Sequence, residues 1–194
     1  MKLIIASNNK NKIREIKDIL GGFFGDILSM KEAGINHETV EDGETFMENA
    51  LKKAREVCAI SGCAALADDS GLCVDALNGA PGVYSARYSG THGDDKANNE
   101  KLLRELSGIS DRKAHFTAAA ALCFPDGREL TAEGSFYGEI ALKESGDNGF
   151  GYDPLFYVPA FNKTAAELSE EEKNRISHRA IALKNLCEKL KNMD

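Results

Sequence analysis

The sequence lacks the features that mark the specialised protein classes. Its five cysteines, Cys58, Cys63, Cys73, Cys123 and Cys187, are odd in number and scattered, with no C-x-x-C pair. That argues against a disulfide framework or a zinc site and leaves them as small buried hydrophobes in a reducing compartment. There is no excess of positive charge. With 24 Lys and Arg against 31 Asp and Glu, the net charge is −7, and the basic stripe of a duplex-binding protein is missing. A local Lys/Arg cluster can still meet an anionic ligand. No apolar run reaches membrane-spanning length. The N-terminal run Leu3–Ala6 is too short for a signal peptide, so a cytoplasmic location is expected. Internal repeats, low-complexity linkers and a Walker A loop are all absent. Nor is there a G-x-S-x-G elbow, which argues against a hydrolase triad built on Ser70, His178 and an Asp.

What is present is an ordinary globular composition. The 194 residues are 42% hydrophobic and 28% charged, enough for one domain, residues 1–194, with a substantial core. Lys2–Ser7 reads as a strand. Ile13, Ile16, Ile19 and Leu20 recur at helical spacing until Gly21-Gly22, and Ile27–Met30 is a second strand. Thr45–Ile60 is a helix with Phe46, Ala50, Ala54, Val57 and Cys58 on one face, ended by Gly62. The apolar run Cys63–Ala67 reads as a strand that stops at Asp68 and Asp69, and a Gly/Pro-rich loop covers Asn78–Gly93. Asp94 or Asp95 caps a helix through Leu106. Strand Lys113–Phe124 turns at Pro125-Asp126-Gly127 into a hairpin partner, Glu129–Leu142. Loop Ser145–Asp153 precedes strand Leu155–Val158. One helix closes the chain, capped by Ser169 with Glu172 and lined by Ile176, Ala180, Leu183, Leu186 and Leu190. The pattern predicts an α/β fold with a mixed sheet covered by helices.

Five stretches carry chemistry. Ser7-Asn8-Asn9-Lys10-Asn11-Lys12 lies between the first strand and first helix. There a helix N-terminus with added charge can cradle phosphates, or the loop is merely polar with an Asn cap. Asp68-Asp69-Ser70-Gly71 places two acids after an apolar run. Such acids suit Mg²⁺ shared with substrate phosphates, or a turn with solvated acids. Glu41-Asp42-Gly43-Glu44 adds carboxylates before the second helix, where capping by Asp42 and Glu44 is the plainer explanation. Gly149-Phe150-Gly151-Tyr152-Asp153-Pro154 offers either an aromatic platform for a planar ring or a tight turn that packs Tyr152 inward. Lys173 to Arg179 supplies cations at helical spacing next to the acids Glu170–Glu172, as a cleft border or as a solvated, locally paired face.

Taken together and in order, ASNNKNK at Ala6–Lys12, TFMENA at Thr45–Ala50, ADDSGL at Ala67–Leu72, GAPGVYSARYSG at Gly79–Gly90, GFGYDP at Gly149–Pro154, KTAAEL at Lys163–Leu168 and ISHR at Ile176–Arg179 resemble the inosine triphosphate pyrophosphatase family. The first loop departs from many members, with Ser7-Asn8 in place of Thr-Gly. The resemblance implies an elongated two-lobed α/β fold with a long central mixed sheet flanked by helices and an active-site cleft between lobes. It implies a homodimer that binds neither nucleic acid nor membrane. The implied reaction is Mg²⁺-assisted hydrolysis of ITP, dITP and XTP to the monophosphate and pyrophosphate. Asp69 would be the general base. Glu41, Asp69 and Asp68 would hold the metal, making Mg²⁺ the cation the two neighbouring acids share. Ser7, Asn8, Asn9, Lys10, Asn11, Lys12, Ser70 and Lys173 would bind phosphates and sugar. Phe150, Gly151, Tyr152 and Asp153 would form the base platform, with His178 and Arg179 reading the base edge. The nearest alternatives are a Maf-like pyrophosphatase, disfavoured by GFGYDP and ISHR, and a nucleotide sensor without turnover, disfavoured by the acid cluster.

Overall fold

The fold was analysed in a computed structural model that describes residues 1–193, with Asn174 described by its backbone only. Twelve regular elements follow one another: β1 (Lys2–Ile5), α1 (Lys10–Leu20), β2 (Asp26–Ser29), α2 (Phe46–Ser61), β3 (Ala64–Val74), α3 (Asp95–Glu105), β4 (Lys113–Cys123), β5 (Glu129–Ile140), β6 (Phe156–Val158), β7 (Lys163–Thr164), α4 (Glu170–Ile176) and α5 (His178–Lys191). The strands hydrogen-bond in the order β2-β1-β3-β4-β5-β6-β7. β1 is parallel to β2 and β3, whereas β6 is antiparallel to β5 and β7. The sheet is mixed, as predicted.

The chain forms two compact units. The first comprises residues 1–69, 118–134 and those from 178 onward; the second comprises 70–117 and 135–177. In the first unit the sheet buries alternate residues on opposite faces, the period of a pleated strand. Leu3, Ile5, Leu66, Ala118 and Ala120 pack under Ile16 and Leu20 of α1 and Leu183 and Leu186 of α5. Ile4, Ala65, Ala67, Ala119 and Ala121 pack under Ala50, Ala54 and Val57 of α2. The second unit is built around Leu72, Val74, Leu102, Leu106, Leu155 and an aromatic group. There Phe156 lies 4.7 Å from Phe116 and 5.2 Å from Phe136, ring centre to ring centre.

The helix starts have local causes. Asn9 caps α1, its Oδ1 accepting from the amides of Asn11 at 3.0 Å and Lys12 at 3.2 Å. Thr45, not Asp42 or Glu44, caps α2, through a reciprocal box with Glu48. Gly62 ends that helix at φ 62°, a left-handed conformation that suits glycine.

Two predicted elements change. β3 does not stop at the acids but runs through Asp68 and Asp69 to Val74. The closing helix breaks at Ser177, whose φ of −64° and ψ of 150° are extended and whose N–H closes α4 on the Lys173 carbonyl at 2.8 Å. Ile176 serves the core of the second unit, whereas Leu183 and Leu186 serve that of the first. A spacing of three and four residues cannot reveal that change of allegiance.

Gly134 sets how closely α5 approaches β5. A Cβ there would stand 2.4 Å from both the Ala182 nitrogen and the His178 carbonyl oxygen. Gly134→Ala is therefore expected to cost about 1–3 kcal/mol through overpacking. Gly22→Ala, where an added Cβ meets nothing, should stay within ~0.5 kcal/mol of the parent. Thermal denaturation of the two variants checks the contrast.

Candidate active site

Because β3 continues through both acids, Asp68 and Asp69 leave the strand on opposite faces. Asp68 enters the α1/α5 side. Its Oδ2 lies 3.0 Å from Lys12 Nζ and 2.9 Å from Arg179 Nε, and the side chain is 0% exposed. Arg179 also reaches Glu15 through Nη1 at 2.7 Å. Burial alone would push the Asp68 carboxyl up. Lys12, then Arg179 and Lys53, outweigh that and hold it far below the ordinary carboxylate range. The same carboxylates hold the Arg179 guanidinium charged against its burial.

Asp69 enters the α2 side. Asn49, buried one turn before Lys53 on α2, donates from Nδ2 to Asp69 Oδ2 at 3.1 Å and accepts the Gly43 amide on Oδ1 at 2.8 Å. One side chain thus ties the loop that carries Glu41 to the acid on β3. A Cβ at Gly43 would lie 2.7 Å from Asn49 Oδ1, so this close approach requires glycine. Lys53 Nζ stands 3.0 Å from Glu41 Oε1 and 3.4 Å from Asp69 Oδ1. Burial raises the Asp69 pKa and Glu41 adds to the rise, against the pull of Lys53. Asp42 takes no part: it pairs with Lys52 at 2.6 Å near the surface.

The loop before α1 presents Asn8, Asn9, Lys10 and Asn11 to solvent, with Ser7 and Lys12 half-buried. Part of its donor capacity is used internally, since Ser7 Oγ accepts the Asn9 amide at 3.1 Å and Asn9 caps the helix. Ser7, Asn8 and Lys10 line an open cavity of about 600 Å³ together with Arg14, Lys17 and Lys31. This cavity includes neither Glu41 nor Asp69. Ser70 is half-buried in β3.

In the second unit, the Gly149–Pro154 loop contains both arrangements expected of it. Phe150 is 40% exposed, with Lys173 Nζ 4.9 Å from its ring centre. Tyr152 packs inward, and its hydroxyl donates to the Ser85 carbonyl at 2.8 Å. Asp153 is buried, accepts the Phe150 amide at 2.9 Å and pairs with Lys173. Helix α3 holds the loop from behind: Gly151 donates its amide to Asp95 at 2.8 Å, and Asn99 donates to the Gly151 carbonyl at 3.2 Å.

These positions correct several expectations. Asp68, expected beside Glu41 and Asp69, faces the other side of β3, where its carboxylate is compensated by Lys12 and Arg179. Among the described residues no group of three or more Asp, Glu, His or Cys side chains gathers around one point. Arg179 is buried with Nε and Nη1 on carboxylates, so it braces Asp68 instead of presenting an open fork to a base. The Tyr152 and Asp153 side chains support the loop and offer no exposed face. Lys173 and Arg179 lie on separate helices in separate units. Lys53, Asn49 and Glu15 went unpredicted. The clue for the first two was a polar pair four residues apart on an otherwise apolar helix face.

Residues 3–189 match the sequence profile of the Ham1 family. The chain belongs to that family. It is 52% identical over 198 residues to the dITP/XTP pyrophosphatase of Clostridium perfringens, covering 98% of this chain and 97% of the relative. It is 51% identical to the protein of the same name from Clostridium tetani, covering 97% of this chain and 96% of that one. Among solved structures, the Staphylococcus aureus Ham1 protein superposes with a TM-score of 0.92 at 42% identity, and the whole of both chains is covered. The Mycobacterium abscessus nucleoside-triphosphatase / dITP/XTP pyrophosphatase superposes with a TM-score of 0.81 at 47% identity, covering 96% of this chain and 98% of that one. The mixed seven-stranded sheet flanked by helices is thus the Ham1 fold. No helix among the described residues of this Ham1 chain is long and apolar enough to cross a membrane.

Asp68→Asn leaves Lys12 without this carboxylate and Arg179 with Glu15 alone, and should cost about 3–5 kcal/mol at neutral pH. The folded-state pKa of Asp68 lies below its unfolded value of ~3.9. Its contribution is therefore complete above that value and is lost as pH falls through the folded pKa. The stability gap between parent and variant, measured by urea denaturation, should be full near pH 7 and narrow below about pH 4.

Proposed function

We propose that this chain hydrolyses the noncanonical purine nucleoside triphosphates ITP, dITP and XTP to the nucleoside monophosphate and pyrophosphate. The observation that carries the reading is the convergence of Glu41 and Asp69 on a single cation position, where Lys53 Nζ stands 3.0 and 3.4 Å from the two carboxylates. Relatives about half identical to this chain over nearly its full length bear the name dITP/XTP pyrophosphatase, which supports it.

The donors at that position are hard oxygens, two carboxylates in number. This suits Mg²⁺, which takes one or two carboxylates, keeps several waters and shares itself with substrate phosphates. Glu41 and Asp69 would hold it. When bound, the ion supplies neutralisation of charge on the phosphates and acidification of water. Asp69 accepts the proton of the water that attacks the α-phosphorus. A new P–O bond forms there, the bond to the bridging oxygen breaks, and pyrophosphate leaves. An ordinary Asp is a weak base at neutral pH. Burial, with Glu41 nearby, raises this one's pKa, and Asn49 fixes its orientation. The Ser7–Lys12 loop and Ser70 bind phosphates and sugar, working mainly by position and charge.

Phe150 is the stacking surface for the base, held by Asp153, Asp95 and Asn99. Lys173 borders its ring. His178, at the start of α5, becomes the candidate reader of the 6-oxo edge, because Arg179 is engaged elsewhere. A donor there rejects adenine, whose 6-amino group cannot accept. The reading includes residues 1–194 as one functional domain, acting as a cytoplasmic homodimer; sedimentation checks the assembly.

The decisive experiment is a nucleotide panel with pyrophosphate detection, with and without EDTA. ITP, dITP and XTP should release pyrophosphate only with a divalent ion, and orthophosphate as first product would overturn attack at the α-phosphorus. Asp69→Asn should lower kcat by about 10²–10⁴-fold in a folded protein; a loss of a few-fold removes Asp69 as the base. Phe150→Ala should weaken nucleotide binding by about 1–3 kcal/mol; a large fall in Tm at unchanged affinity would return Phe150 to a structural role.

A further inference from the structure

We infer that Lys53 is a tethered counter-ion for the Glu41–Asp69 pair. In the nucleotide-free protein its ammonium occupies the point where the two carboxylates converge and competes there with divalent metal, so the metal enters together with a triphosphate and not ahead of it. The inference rests on the preceding reading that Glu41 and Asp69 hold the metal.

The two faces of β3 are compensated differently. On the α1/α5 side, the single carboxylate of Asp68 has two cations within 3.0 Å, Lys12 and Arg179. On the α2 side, two carboxylates share one ammonium. Like charges brought together out of water repel and are costly to dehydrate. Lys53, with a side chain only 12% exposed, removes part of that cost and leaves the trio with one uncompensated negative charge.

Its delivery is rigid. α2 is anchored at its start by the Thr45–Glu48 box and at its end by Gly62. Lys53 is flanked by buried Ala50 and Ala54 and follows Asn49 by one turn, and Asn49 holds both the Glu41 loop and Asp69. The ammonium is therefore built into the same frame as the acids.

A bare divalent ion must displace Lys53 and leave that ammonium half-buried without its partners. A triphosphate changes the balance, because it brings negative charge that can take up the displaced ammonium while its oxygens complete the metal's shell. Metal and nucleotide then bind with positive coupling, and each raises the affinity of the other by the same factor.

The test measures Mn²⁺ binding to the full chain without nucleotide, by the loss of the free-ion electron paramagnetic resonance signal. Thermal melting with and without MgCl₂ is run in parallel. Wild type should bind Mn²⁺ weakly and melt almost independently of Mg²⁺. Lys53→Met should bind Mn²⁺ at least about tenfold more tightly, as removal of a competing charge implies, and its Tm should rise with MgCl₂. Lys53→Gln, measured alongside, keeps a polar tip without the charge and should show the same gain if Met is poorly tolerated. Lys53→Arg should stay close to wild type. The gain should vanish in Lys53→Met/Glu41→Gln.

Neutral variants that bind Mn²⁺ no more tightly than wild type, or a gain that survives Glu41→Gln, would overturn the inference. Failure of the underlying reading looks different. In that case Mn²⁺ binding in the presence of a non-hydrolysable ITP analogue would be indifferent to Glu41→Gln and Asp69→Asn. Ternary binding that needs both acids, with binary binding indifferent to Lys53, overturns the counter-ion alone.

Discussion

Two adjacent aspartates can be tolerated in a buried strand only if the strand separates them, and the pleat of β3 does so. Everything distinctive in the first unit follows from this alternation. Asp68 turns to the helices that bring Lys12 and Arg179, and Asp69 turns to the helix that brings Asn49 and Lys53. The even positions below them, Ala64 and Leu66, belong to one apolar layer, and the odd positions, Ala65 and Ala67, to the other. The acids thus inherit their faces from the hydrophobic pattern. A slip of one residue in the pairing of β3 with β1 would exchange them and leave both charged clusters without partners.

The two acids are also given different chemistry by what surrounds them. Two cations on Asp68 hold it ionised well below the ordinary carboxylate range, a brace whose value is structural. A second carboxylate beside Asp69 and a single amine between them keep it closer to the point at which it can exchange a proton. One strand therefore presents a locked carboxylate and a responsive one in consecutive positions, the division of labour expected where paired acids work near neutral pH. In the second unit the aromatic loop shows a similar economy. Phe150 is presented outward because Asp153, Asp95 and Asn99 hold the backbone around it.

Much of this was legible in the chain, and the parts that were not share a cause. The helices at Lys10–Leu20, Phe46–Ser61 and Asp95–Glu105 and the β4–β5 hairpin lie close to where caps, glycines and period placed them. So does the exposed Phe150. The continuation of β3 through its acids was missed, because hydropathy treats two aspartates as an end and only the partners on other helices make them admissible inside. The buried setting of Arg179 is illegible for the same reason. Its partners are 111 and 164 residues away, and nothing local in ISHR distinguishes an arginine aimed at a ligand from one aimed at a buried carboxylate. Lys53 and Asn49 carried a weak signal, a polar pair on an apolar helix face. The break at Ser177 carried none, because both helices keep the same spacing while serving different cores.

The sequence map of the first unit bears on the order in which the molecule can be made. That unit is discontinuous, and its last contribution, α5, follows the entire second unit in the chain. A nascent polypeptide emerging from the ribosome carries β1, α1 and β3 long before His178 and Arg179 exist, so Asp68 waits without its guanidinium and the α1 face without its cover. The second unit, whose two segments are enclosed between parts of the first, can gather its aromatic core earlier. Synthesis thus favours a folding sequence opposite to the order of the text, with the N-terminal segments completed last by a helix that closes a very long loop. Contacts of such separation also predict slow acquisition of the native state, with the Asp68–Arg179 pair among the final features to form.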